Sequence, residues 1–312
     1  KRRPPPTHPH LKIVDNSRPR PAPKVAVSRV FQGFSRRLPP HPVLSRISQI
    51  SCLPTDVKKL YRSRLVLLAL IILLVIAVID PITMQSHFAY QSNPFMWWLF
   101  MNRTTGSTIF NTLYWLFPVL LTGLVFFDES KTAIYGIIIT KKKRCVYLCS
   151  KALSVFFVSF VSTLFLFLFN LFLVYVTCPS SMELSETMIP HTGTFSALLF
   201  QKSPLYEAVT YVILHAFSLS LLTVLYLAIQ MIVKAKNKYM AFILPPIIMY
   251  VLDYLTQTAA QTYSVTMALQ PMVARATSFV ITIEDIAIIF GALLAIDIVC
   301  LFIGNRRNRD VI

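Results

Sequence analysis

Residues 65–79 form a run of fifteen side chains without one polar member, and that feature removes most soluble folds from consideration. A helix on a soluble core keeps a polar face toward water, and this run has none. Tyr61 at one end and Pro81-Ile82 at the other carry it toward the ~20 residues that a bilayer crossing needs. Five more apolar segments follow, at 109–127, 152–176, 205–233, 239–255 and 286–303. The expected architecture is all-α, a polytopic integral membrane protein with six transmembrane helices over 56–306. Counts of five or seven stay open, because residues 88–100 are also aromatic and apolar. Charged residues make up 14% of the chain, against about 25% in soluble domains.

The connections between the segments set the expected orientation. Lys58, Lys59, Arg62 and Arg64 precede the first segment, and Lys131, Lys141, Lys142, Lys143, Arg144 and Lys151 fall between the second and third. Lys234, Lys236 and Lys238 follow the fourth, and Arg306, Arg307 and Arg309 follow the sixth. The alternate connections carry single bases, Arg103, Lys202 and Arg275. The positive-inside bias then puts both termini in the cytoplasm. On that topology residues 81–108, with Phe88, Tyr90, Phe95, Trp97, Trp98 and Phe100, read as an interfacial aromatic belt or a half-inserted helix. Residues 257–283 are too apolar for a solvated loop and too short to cross twice, so short re-entrant or interfacial helices are expected there.

Eleven of the thirty basic residues lie in residues 1–50, beside one acid, Asp15. With their density of Pro and Arg and no sustained periodicity, residues 1–55 read as a disordered basic tail. An inert extension is favoured over a proline-motif ligand. Anionic headgroups rather than nucleic acid are its expected counterpart. The chain opens on Lys rather than Met, so a truncated or uncertain start is expected. No signal peptide is read, since the first apolar run begins after residue 60 and is followed by others. Cys145 and Cys149 share a helix face at i, i+4; a structural role is the default there over a two-ligand metal site.

Seven glycines in 312 residues leave no glycine-rich phosphate cradle, and neither HExxH, G-x-S-x-G nor C-x-x-C occurs. No catalytic residue and no metal site is assigned, and an enzyme acting on water-soluble substrates is disfavoured. The connection FFDESKTAIYGIIITKKKRCVYLCSKALS is the informative stretch. Acids sit where the second segment ends, an amphipathic stretch follows, and a basic cluster leads into the third segment. By itself, the positive-inside bias would also place such a basic loop here.

This arrangement resembles the permease subunits of type-2 ABC exporters, over roughly residues 60–305. The matching positions are Glu129, the stretch Ile134–Ile139 with Ile137 and Ile138 in it, Arg144 and Lys151. The resemblance implies a coupling loop, 128–151, that docks on a separate ATPase subunit, which binds the ATP; the chain itself needs no cofactor. It implies a permease homodimer or heterodimer in the cell membrane, surrounded by lipid, with 257–283 capping the outer end of a path. Lys141-Lys142-Lys143 replace the family's usual small or proline-containing turn. Ionisable residues inside spans are costly, so His215, Asp253 and Asp297 are candidate path-lining residues. Glu207 is read at the outer edge among headgroups, and Asn170 as an interhelical hydrogen-bonding group. The alternative is a non-transporting immunity or sensor protein that binds a peptide at its outer face.

Overall fold

The computed structural model describes residues 53–84, 98–100, 105–122, 124, 127, 144–177, 189–233, 238–271 and 280–307, and among them every regular element is helical. In chain order these are α1 (Leu53–Tyr61), α2 (Arg64–Met84), α3 (Thr105–Leu113), α4 (Phe117–Thr122) and α5 (Arg144–Thr177). There follow α6 (Phe195–Phe200), α7 (Pro204–Val233), α8 (Lys238–Ala259), a 3-10 turn (Gln261–Tyr263), α9 (Val265–Ala268) and α10 (Ile283–Arg307). Five of them, α2, α5, α7, α8 and α10, are long and apolar enough to cross a membrane. The chain is a helical membrane protein. The tail expected over 1–55 lies outside the described residues, except that α1 already begins at Leu53.

The expected second span, 109–127, is not one continuous helix. Its described part is the two short helices α3 and α4, separated by a turn at Tyr114–Leu116. Pro118 accounts for the break: its nitrogen cannot donate to the Tyr114 carbonyl four residues back, and its ring crowds that carbonyl. The chain tightens instead, with the Leu116 N–H bonded to the Leu113 carbonyl at 2.8 Å. Beyond Thr122, Leu124 takes a left-handed φ of 52°, which ends α4. Every residue of α4 is buried. Irregular backbone at membrane depth is tolerated where protein encloses it, and here protein does.

α7 is the central post. It packs against α4, α5, α6, α8 and α10, and its buried residues run round most of its circumference. A helix enclosed by protein on most sides can carry buried polar side chains as well as apolar ones, and α7 buries Glu207, His215, Ser218, Thr223 and Gln230. By contrast α5 exposes Phe157, Val161, Phe165, Leu168, Phe172 and Tyr175, a stripe at three- and four-residue spacing. α8 and α10 likewise expose Ile, Leu, Val and aromatic side chains along most of their length. In water this surface would drive aggregation; in a bilayer it meets lipid tails.

Side-chain contacts fix the relative levels of the helices. Leu60 of α1 belongs to one buried cluster with Tyr147 and Leu148 of α5 and Leu227 and Met231 of α7. The α1 end of the bundle therefore holds the start of α5 and the finish of α7. Gly304 of α10 comes so close to Met231 that a Cβ there would lie 3.0 Å from the Met231 Cβ. The broken helix runs the length between the ends, from Gly106 against Asp80 near the far end of α2 to Thr122 against Gln230 near the finish of α7.

Candidate functional site

Backbone groups that a proline strands must find other partners when water is excluded. Pro81, inside α2, removes the donor that the Ala77 carbonyl would have had. Asn170 of α5 supplies one, its Nδ2 donating to that carbonyl at 3.0 Å. Its Oδ1 accepts from the Leu99 N–H at 3.2 Å. Asn170 thus donates the interhelical bond expected of it. The break between α3 and α4 is treated similarly by α7. The Tyr226 hydroxyl donates to the Trp115 carbonyl at 3.0 Å, and the Tyr114 and Ser218 hydroxyls pair at 2.9 Å. Gln230 Nε2 donates to Thr122 Oγ1 at 3.3 Å, while Gln230 Oε1 has no hydrogen-bond partner among the described residues. The polar side of α7 thus carries the irregular segment through the bundle.

His215 lies on α7 within an aromatic box. Its ring stacks on Phe100 with centroids 3.6 Å apart and 15° between planes. Phe100 meets Trp98, Phe110 and Phe167 edge-on at 5.1, 5.4 and 4.9 Å. Since a carbonyl only accepts, the 2.9 Å contact between His215 Nδ1 and the Tyr211 carbonyl assigns the proton to Nδ1. Trp98, Leu99 and Phe100 are buried, so this part of 81–108 is a turn inserted among the helices rather than an interfacial belt, while Phe88, Tyr90, Phe95 and Trp97 lie outside the described residues. Aromatic content alone signals both placements equally; the Leu99–Asn170 bond decides between them.

Asp253, on α8, is saturated by neighbours. Ser264 Oγ donates to Oδ1 at 3.0 Å, while Thr266 Oγ1 and Gln257 Nε2 donate to Oδ2 at 2.6 and 3.0 Å. The carboxylate thereby holds the 3-10 turn and α9 against the end of α8. These elements are the described part of 257–283; residues 272–279 lie outside the described residues. Asp297, on α10, is buried, and neither carboxylate oxygen has a hydrogen-bond partner among the described residues. The Phe217–Phe290 ring contact at 5.4 Å and the Gly304–Met231 approach bracket it, which puts Asp297 level with Val224 of α7. His215, Asp253 and Asp297 are not joined by any hydrogen bond among the described residues.

Lys151 is buried, and its ammonium lies 3.5 Å from Asp56 Oδ1 of α1 and 5.9 Å from the centre of the Tyr147 ring. It fastens α1 to α5. Arg144 is the first residue of α5, whereas Glu129, Ile134, Ile137 and Ile138 lie outside the described residues. Glu207 differs from its expected place among headgroups. It is buried and accepts a hydrogen bond from Ser196 of α6. The peptide N–H of Phe195 in α6 bonds in turn to the Ile281 carbonyl at 2.8 Å. Position near a helix end had suggested exposure for Glu207; α6 folding over that end removes it. Asp80 is also buried; an acid beside a proline inside an apolar run is itself a signal of packing.

No family model, curated protein or solved structure matches the chain.

Proposed function

We propose that this chain is the membrane-spanning subunit of an ATP-driven exporter of the type-2 ABC class. It supplies the path and the coupling contact, and a separate ATPase subunit binds and hydrolyses the ATP. On this reading it works as a permease dimer in the cell membrane. It has six crossings, and both termini are cytoplasmic. The broken helix α3–α4 is the sixth crossing: α2 finishes at the far end of the bundle and α5 starts at the α1 end, so the chain must return between them.

The observation that carries the reading is the foot of α5. This helix has 34 residues, about 51 Å at the helical rise, against ~30 Å for the hydrocarbon core. Its first turns extend beyond the bilayer directly after the basic loop and are fastened to α1 by Lys151 and Asp56. A stiff helix anchored in this way transmits a push on residues 128–143 to α7, against which it packs. Asp297, whose oxygens lack partners among the described residues, then borders the path, where water or a cargo group can satisfy it. The five long apolar helices and the sequence pattern at Glu129, Arg144 and Lys151 support the same reading.

Affinity purification of the tagged full-length chain from its native membrane tests it. The expected result is a stoichiometric partner carrying a P-loop ATPase domain. Isolation with a secreted or periplasmic peptide and no ATPase would favour the immunity or sensor reading.

A further inference from the structure

On the outside of the bundle, α2 and α5 border a groove of about 400 Å³ lined by Leu67, Leu70, Ile71 and Leu74 on one side and Val161 and Phe165 on the other. Its two polar lining groups, the Tyr61 and Ser162 hydroxyls, lie 2.9 Å apart and pair with each other, so the groove presents an apolar floor. One end is different. Arg64, Leu67, Ile71 and Leu74 recur at i, i+3, i+7 and i+10, which puts Arg64 at the head of the helix face that forms this wall. Arg62 follows Tyr61 in the turn between α1 and α2. Both arginines are exposed, and neither has an ion-pair partner among the described residues. Side chains on a helix lean toward its N-terminus, so Arg64 reaches for the membrane surface at which α2 begins.

We propose that this groove is a binding site for one anionic phospholipid, with its phosphate on Arg62 and Arg64 and one acyl chain along Leu67–Leu74 between Val161 and Phe165. The positive end and the apolar trough match an amphiphile with a negative head. The seven residue steps from Leu67 to Leu74 of α2 give about 10 Å of wall, enough for a substantial part of an acyl chain. A second transmembrane helix fits less well. Helix contacts in membranes rely on small residues that let backbones approach, and this rim is built from Leu, Ile, Val and Phe. The site does not depend on the exporter reading, since it involves neither the loop 128–143 nor the path.

Native mass spectrometry of the full-length protein in detergent, titrated with phosphatidylglycerol or phosphatidylcholine of identical chains, tests the proposal. The wild type retains one phosphatidylglycerol in preference to phosphatidylcholine. The double substitution Arg62→Gln/Arg64→Gln lowers that preference about tenfold, in keeping with the electrostatic contribution of basic residues at anionic surfaces. Val161→Trp fills the trough from an exposed position and displaces the bound lipid while leaving the thermal unfolding temperature unchanged. Equal retention of the two lipids by the wild type overturns the proposal. So does full phosphatidylglycerol retention in the Val161→Trp protein, which would reduce the effect to surface charge. Efficient disulfide cross-linking of Val161→Cys between copies in the membrane also overturns it, because a second chain would then occupy the groove.

Discussion

Asn170 donates its side-chain amide to the Ala77 carbonyl at 3.0 Å, and that carbonyl is the one Pro81 deprives of its helical donor. A single side chain on α5 thus repairs a defect that proline creates in α2, and it also fixes the inserted turn at Leu99.

Replacing Asn170 with Leu should therefore cost about 1–3 kcal/mol, the penalty for leaving buried backbone groups without partners. Reversible unfolding in mixed micelles measures it. Adding Pro81→Ala restores a donor for Ala77, so the double variant should recover part of the loss. Strict additivity of the two changes would show that Asn170 does not act on the proline defect.

Tyr226→Phe removes the hydroxyl that serves the Trp115 carbonyl. The expected loss is about 0.6 kcal/mol, the average for hydrogen bonds between membrane helices, and at most about 1.7 kcal/mol. Hydrogen exchange should rise in α3 and α4 but not in α8. A uniform rise across all helices would mean that the bond does not specifically hold the broken segment.

A Cβ at Gly106 would lie 2.5 Å from Asp80 Oδ1. Gly106→Val should force α3 away from α2 and cost about 1–3 kcal/mol, as overpacking does. Asp80→Ala in the same chain opens the space and should restore much of the stability. Unaltered stability of the single variant would show that α2 and α3 separate without cost.

Asp253→Ala removes the acceptor for Ser264, Thr266 and Gln257. A cysteine placed at Met267 should then react with a membrane-impermeant thiol reagent about tenfold faster, because local opening rises as its hydrogen bonds are lost. Asp253→Asn, which can still accept, should change the rate less. Equal rates in all three proteins would free α9 from any dependence on Asp253.

Long apolar runs are easily read, because a helix that must satisfy its own backbone in lipid announces itself by length. Thus 205–233 foretold α7 closely and 152–176 only the apolar part of α5, which already begins at Arg144, whereas 109–127 did not foretell a break. Pro118 stood in view, but apolar composition scores a continuous and a broken helix alike; what distinguishes them is burial of α4 by α7, a tertiary fact. Glu207 was misplaced for a related reason, since the covering helix α6 is only six residues long and lacks a strong pattern. Asn170 was legible because an amide in the middle of a Phe- and Leu-rich helix has few other uses. His215, Asp253 and Asp297 stand out as costly residues, yet sequence spacing carries no information that their contacts are separate: aromatic rings at His215, hydroxyl and amide donors at Asp253, and no partner among the described residues at Asp297.

The central claim is that residues 128–143 receive the motion of an ATPase and that α5 carries it into the bundle. Its most direct test is ATP hydrolysis in proteoliposomes holding this chain with its co-purified ATPase. The wild type should stimulate hydrolysis, and Ile137→Asp/Ile138→Asp should abolish the stimulation while membrane insertion and thermal stability stay unchanged. Full stimulation by that variant would contradict the account.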